Sequence, residues 1–206
     1  MALHVVDHPL AKHLITGLRD ATTPPDRFRQ LSDTLSTILI LESTRKVRLL
    51  SGEVETPMEV TQADRLDQGL VVVPVLRAGL CMLDPALKLF PKVDVGYVGL
   101  ERSHETAVAH SYYCKLPNLA GKYTLCVDPM LATGGSASQA IDLLKEHGAD
   151  QITMVCVVAA PEGVETLQND HPDVEIFAAA YDRELNAQKY ILPGLGDYGD
   201  RLYGTE

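Results

Sequence analysis

The sequence predicts an α/β fold, a mostly parallel twisted sheet flanked by helices. Three observations predict it. Apolar runs at residues 70–76, 123–127, 152–160 and 174–180 are short and nearly continuous, the pattern of strands covered on both faces. Segments of helical periodicity separate these runs, giving repeated β-α-β units. A Gly-Gly pair, Gly134-Gly135, stands between a strand and a helix, where such folds bind ligands.

The elements follow in order. Phe28, Leu31, Leu35, Ile38 and Leu39 share one helix face, entered through Pro24-Pro25-Asp26. Residues 47–60 place Ser51-Gly52 between half-apolar stretches and read as a two-stranded arm, about 46–61 overall. Residues 70–76 form a buried strand, and residues 93–100 another. The strand at 123–127 runs into a loop. Ala137, Ala140, Ile141 and Leu144 then recur at helical spacing, with Gly148 as the stop. Residues 152–160 and 174–180 complete the sheet. Glu162-Gly163 opens a helix between them, with Glu162 as a cap. The tail from residue 181 carries four glycines and a proline, so it reads as a structured loop rather than another layer. No repeat or linker interrupts the 206 residues, so 1–206 reads as one domain.

Charge and composition narrow the function. A net charge of −10 argues against nucleic-acid binding, which depends on neutralising phosphates with Lys and Arg. It permits a phosphate substrate, because a few arginines in one cleft reverse the local field. Cys81, Cys114, Cys126 and Cys156 lack metal or disulfide spacing and read as reduced thiols. No apolar stretch approaches bilayer length, and the first residues do not resemble a signal peptide. The expectation is a cytoplasmic protein with no membrane partner. His4, His8, His13, His147 and His171 read as exposed, capping or interface residues.

The chemistry concentrates at Asp128-Pro129-Met130-Leu131-Ala132-Thr133-Gly134-Gly135-Ser136. An acidic residue ends a strand; a hydroxyl, two glycines and a second hydroxyl then open a helix. Backbone N–H groups in such a loop close around a phosphate, and the helix dipole favours the anion. The carboxylate before the loop can hold ribose hydroxyls. No Lys follows the glycines, so this is not a Walker loop, and no GxGxxG is present. Arg77 and Arg102 follow two other strands, and ligands bind at such carboxyl ends.

These residues resemble the ribose-phosphate loop of the phosphoribosyltransferases, and the whole chain is most similar to the uracil phosphoribosyltransferase family. The likeness covers His8-Pro9-Leu10, Glu42-Ser43-Thr44-Arg45, Val73-Pro74-Val75-Leu76-Arg77-Ala78-Gly79-Leu80, the loop itself, Ala159-Ala160-Pro161-Glu162-Gly163 and Ile191-Leu192-Pro193-Gly194-Leu195-Gly196-Asp197. Asp128 is followed by Pro129, as in the uracil branch, where many relatives have tandem acids.

The resemblance implies a type I phosphoribosyltransferase fold with a C-terminal base-binding hood at about 181–206. It implies conversion of uracil and 5-phospho-α-D-ribose 1-diphosphate (PRPP) to UMP and diphosphate. Asp128, Arg102 and Asp197 are the implied catalytic residues. Arg77, Arg102, residues Asp128 through Ser136 and Asp197 would contact PRPP; Ile191, Gly196, Asp197 and Tyr198 would surround uracil. Mg²⁺ would be held mainly by the substrate, with no all-protein metal site. A cis peptide is expected between Arg77 and Ala78. A homodimer or homotetramer is implied, and activation by GTP is left open.

The chain departs from the family at three places. Ser103-His104-Glu105 follows Arg102 in place of an acidic pair, Ala109-His110-Ser111 stands where Pro is usual, and Tyr198 replaces a frequent Ala. Tyr198 is read equally as a lid on the base or as packing. Two alternatives stand beside this reading. An RNA-binding attenuator on this scaffold conflicts with the negative charge. Transfer to orotate or a purine would find Lys189 or Arg201 for an extra carboxylate.

Overall fold

The computed structural model describes residues 3–102 and 109–205. The chain opens with β1 (Leu3–Val5) and α1 (Pro9–Arg19). Pro9 suits the first helical turn, and the ring of His8 accepts from the N–H of Leu10 at 3.1 Å. Ala11, Leu14, Ile15 and Leu18 bury one face of α1. Helix α2 (Pro25–Ser43) buries Phe28, Leu31, Leu35 and Leu39, the face read from the sequence.

The arm is a hairpin of β2 (Leu49–Glu55) and β3 (Val60–Leu66). It lies further along the chain than the sequence suggested. Ser51-Gly52 sits inside β2, and the reversal falls at Thr56–Glu59, where the Thr56 hydroxyl accepts from the N–H groups of Met58 and Glu59. A side-chain turn of this kind needs no glycine.

Strand β4 (Leu70–Leu76) is followed by a 3₁₀ turn (Ala78–Met82) and α3 (Leu83–Leu89). Where one strand was expected at 93–100, there are two: β5 (Asp94–Val95) and β6 (Tyr97–Arg102). Both pair with β4, and the break at Gly96 lies opposite Val73-Pro74. Pro74 has no N–H for the ladder, so pairing is interrupted beside it. Strand β7 (Ala109–Lys115), which the sequence reading did not identify, turns back antiparallel to β6.

Next come β8 (Tyr123–Val127), β9 (Met130–Leu131), α4 (Gly135–Glu146), β10 (Gln151–Ala159), α5 (Pro161–Asp170) and β11 (Glu175–Tyr181). The tail holds β12 (Glu184–Leu185), β13 (Ile191–Leu192) and α6 (Tyr198–Tyr203). It is thus partly regular where a loop was expected. Among the described residues the main sheet runs β1-β11-β10-β8-β4-β6-β7, with β5 against β4 and β9 against β10. All of its pairs are parallel except β6–β7.

Alternation along the strands makes two cores. Leu70, Val72, Leu125, Val127 and Val155 face α1, α2 and α6. Val71, Val73, Cys126, Met154 and Cys156 face α4 and α5. This side-to-side period of two explains why the strands read as continuous apolar runs. The buried thiols of Cys126 and Cys156 are both pushed up by desolvation. No described helix is long and apolar enough to cross a membrane.

Candidate active site

Adjacent parallel strands bring Arg77 and Asp128 to one end of the sheet. Pro74 of β4 stands opposite Val127 of β8, so Arg77 and Asp128 leave neighbouring strands at the same end. Gly79 fixes how close the two segments come. A Cβ there would lie 2.5 Å from the Val127 carbonyl oxygen and 3.2 Å from Cα of Pro74. The turn after Arg77 therefore lies directly on the backbone that ends in Asp128. A cis peptide is present, but at Leu76–Arg77, one bond before the expected Arg77–Ala78 position. Arg77 is exposed, and its carbonyl accepts from the Leu80 N–H at 3.2 Å. Arg102 ends β6; its side chain, like residues 103–108, lies outside what is described.

The loop after Asp128 is backed by strand and helix. Beyond β8, the Pro129 carbonyl accepts from Val157 and Val158, and the Leu131 carbonyl accepts from Ala160. Gly163, at the start of α5, presses against the loop: an added Cβ would meet the Ala132 and Leu131 oxygens at 2.6 and 2.8 Å. Gly134 caps α4 with φ of 83°, a left-handed conformation that glycine adopts without strain. Its carbonyl accepts from Ser138, which leaves the first N–H groups of α4 without helical partners, as at any helix start. Asp128, Met130, Leu131, Ala132, Thr133, Gly134, Ser136 and Ala137 line a concavity of about 50 Å³. Its size and donors suit a single phosphate group.

Asp128 forms the acidic wall of this cup. It is partly exposed, and its carboxylate accepts from the Met130 N–H at 3.3 Å. Burial pushes its pKa up to about 7, and that one hydrogen bond opposes the shift only in part. A carboxyl group held near neutrality titrates where an enzyme works, a frequent mark of functional sites.

The tail supplies backbone more than side chains. Ile191 is buried with its side chain in the core. Gly196, with φ of 85°, is exposed, and Asp197 is exposed and caps α6 through Oδ1, which accepts from Asp200 N–H at 2.9 Å. The ring of Tyr198 takes the packing alternative, in the core. It is 2% exposed, packs edge-on against Phe28 at 5.0 Å, and donates its hydroxyl to Ser32 at 2.7 Å. Arg201 is also committed. Its guanidinium donates to the carbonyls of Leu18, Leu195 (2.7 Å) and Asp20 (2.5 Å), and stacks over Phe28 at 4.6 Å. It is therefore not available for an orotate carboxylate.

Two helix links escaped sequence reading. Glu162, expected as a cap, stands in the first turn of α5 and also accepts from the N–H of Leu185 at 2.9 Å, tying the helix behind the cup to β12. That bond holds the Glu162 carboxyl below its usual range. His171, expected to be exposed or capping, is the C-cap of α5, its N–H donating to the Leu167 carbonyl at 2.9 Å, and is buried at 3% exposed; Nε2 lies 3.0 Å from the Ser138 carbonyl, and Nδ1 lies 3.3 Å from Lys145.

A family model described as uracil phosphoribosyltransferase matches residues 5–205. A uracil phosphoribosyltransferase of an Exiguobacterium species is 51% identical over 206 residues, 99% of each chain. One from Dictyoglomus thermophilum is 49% identical over 204 residues, covering 98% of this chain and 99% of that one. A solved protein of Aquifex aeolicus superposes with a TM-score of 0.92 at 38% identity, covering 98% of both chains. A purine phosphoribosyltransferase of Pyrococcus horikoshii matches with a TM-score of 0.51 at 14% identity, over 76% of this chain and 90% of that one, a likeness of fold.

Proposed function

The chain belongs to the uracil phosphoribosyltransferase family, and on that premise we propose that the crevice above Asp128 is where uracil N1 is joined to C1′ of PRPP, giving UMP and diphosphate. The observation that carries this assignment is the close packing of the Arg77 turn on the strand end that leads into the anion cup.

The 5′-phosphate sits in the cup, held by backbone N–H groups of residues 130–136 and the hydroxyls of Thr133 and Ser136. Arg77 and Arg102 hold the diphosphate, whose charge grows as the C1′–O bond breaks. The ionised Asp128 carboxylate accepts from the ribose hydroxyls and stabilises the positive ring. Uracil is read by backbone groups of Ile191, Gly196, Asp197 and Tyr198, which complement its two carbonyls and N3–H. Mg²⁺ would screen the diphosphate oxygens. Among the described residues no group of three metal-ligating side chains occurs; the exposed Asp197 carboxylate and Asp128 are hard-oxygen donors suited to a cation that arrives with its substrate and keeps its waters.

The arm supports a homo-oligomer, either a dimer or a tetramer. Both its strands and its reversal are exposed, with Leu50 at 60% and Met58 at 91%, and a lone hairpin is marginal in water. Location in the cytoplasm and activation by GTP belong to the same reading. Incubation with PRPP, Mg²⁺ and uracil, cytosine, orotate or hypoxanthine tests the activity. UMP from uracil alone is expected, and product from orotate or hypoxanthine would overturn the base assignment. Sedimentation with and without GTP, beside an activity titration, tests the rest.

A further inference from the structure

The tight turn that carries the base-facing backbone is gripped by a residue from the other end of the chain. Asp182, directly after β11, is buried, with its side chain 4% exposed. Its Oδ1 accepts from Nη2 of Arg19 at 2.5 Å, and its Oδ2 accepts from Nη1 of Arg19 at 2.8 Å. The same Oδ2 accepts from the Gly194 N–H at 2.9 Å, while Nη1 of Arg19 donates to the Gly194 carbonyl at 2.8 Å. Both polar groups of one peptide residue are thus fixed by a single bidentate ion pair. Arg19 is the last residue of α1.

Gly194 is the pivot of the turn between Ile191 and Gly196. Its φ is 60°, and a Cβ on it would fall 2.1 Å from the Ile191 carbonyl oxygen. The backbone therefore folds back onto Ile191 at this residue, and any shift of Gly194 moves that carbonyl. A planar fork satisfies two carboxylate oxygens and a carbonyl at once; an ammonium has no such geometry.

We propose that Arg19 and Asp182 are positioning residues for recognition of the base, setting the turn from Ile191 to Gly196 without touching substrate. The proposal rests on the assignment of uracil to the hood backbone. It predicts a split in kinetics. Arg19→Lys and the charge-free pair Arg19→Met with Asp182→Leu should raise KM for uracil by about tenfold or more, the loss expected when a polar recognition edge is misaligned. KM for PRPP should stay within about twofold, because the anion cup is built from other elements. Asp182→Asn keeps one acceptor for the Gly194 N–H and should show a smaller rise in the same direction.

Circular dichroism would select the folded variants, and Gly196→Ala serves as the control for base placement. A raised uracil KM in Gly196→Ala and in the clamp variants supports the inference. A raised value in Gly196→Ala with uracil KM within twofold of wild type in folded Arg19→Lys and Asp182→Asn would overturn the clamp alone. An unchanged uracil KM in Gly196→Ala would overturn the hood assignment and the clamp with it. Parallel changes in both KM values would mark the pair as merely structural and overturn the proposal.

Discussion

Asp128 works against the stability of the empty protein. Its folded-state pKa of about 7 lies above the ordinary 3.8, so the native state holds the proton more tightly than the unfolded chain. The sign follows from linkage: stability falls as pH rises from about 4 to about 7, and the full cost is present above that. Asp128→Asn should therefore stabilise the fold at pH 8 by about 1–3 kcal/mol, seen as a higher melting temperature, with no gain at pH 4. Calorimetry at the two pH values checks this. The same titration should make kcat/KM for PRPP climb through pH 7 in the wild type, and the variant should be slow and lack that rise. Tyr198→Phe belongs to the same scale. It loses the buried bond to Ser32, so it should cost about 1 kcal/mol and leave uracil KM unchanged, read by denaturation and kinetics. The place of Asp128 was legible in the sequence because a strand, an acid, a glycine pair and a helix follow in that order. Tyr198 was not: a ring beside a glycine-rich turn gives no sign of which side of the backbone it takes.

At the scale of elements, the anion cup depends on what stands behind it. Gly163 of α5 leaves room for the Leu131 and Ala132 carbonyls, so Gly163→Ala must push the loop forward. The expected result is a several-fold higher KM for PRPP with an unchanged KM for uracil, and a loss of about 1–3 kcal/mol in denaturant unfolding. The motif containing Gly163 was visible, but its partner was not, because packing between a helix start and a loop 31 residues earlier leaves no periodic trace. The strands of the sheet centre were legible from their β-branched runs. The break at Gly96 was legible only with its neighbour, since it answers to Pro74 on another strand. The arm reversal was misplaced for a simple reason: Thr56 closes the turn with its side chain, whereas Ser51-Gly52 advertises a turn and sits in a strand.

Over the whole molecule, the site spans two cores. The cup is backed by α4 and α5, and the hood is packed on α1 and α2. The arm stands apart from both cores. Leu50→Glu with Met58→Glu should dissociate the proposed oligomer in sedimentation while circular dichroism stays native, because both side chains are exposed in the protomer. The contact between Arg19 and Gly194 joins residues 175 positions apart. A ribosome releases α1 early and β13 almost last, so a nascent chain finishes the proposed sugar-phosphate half of its pocket while the proposed seat for the nucleobase has yet to emerge.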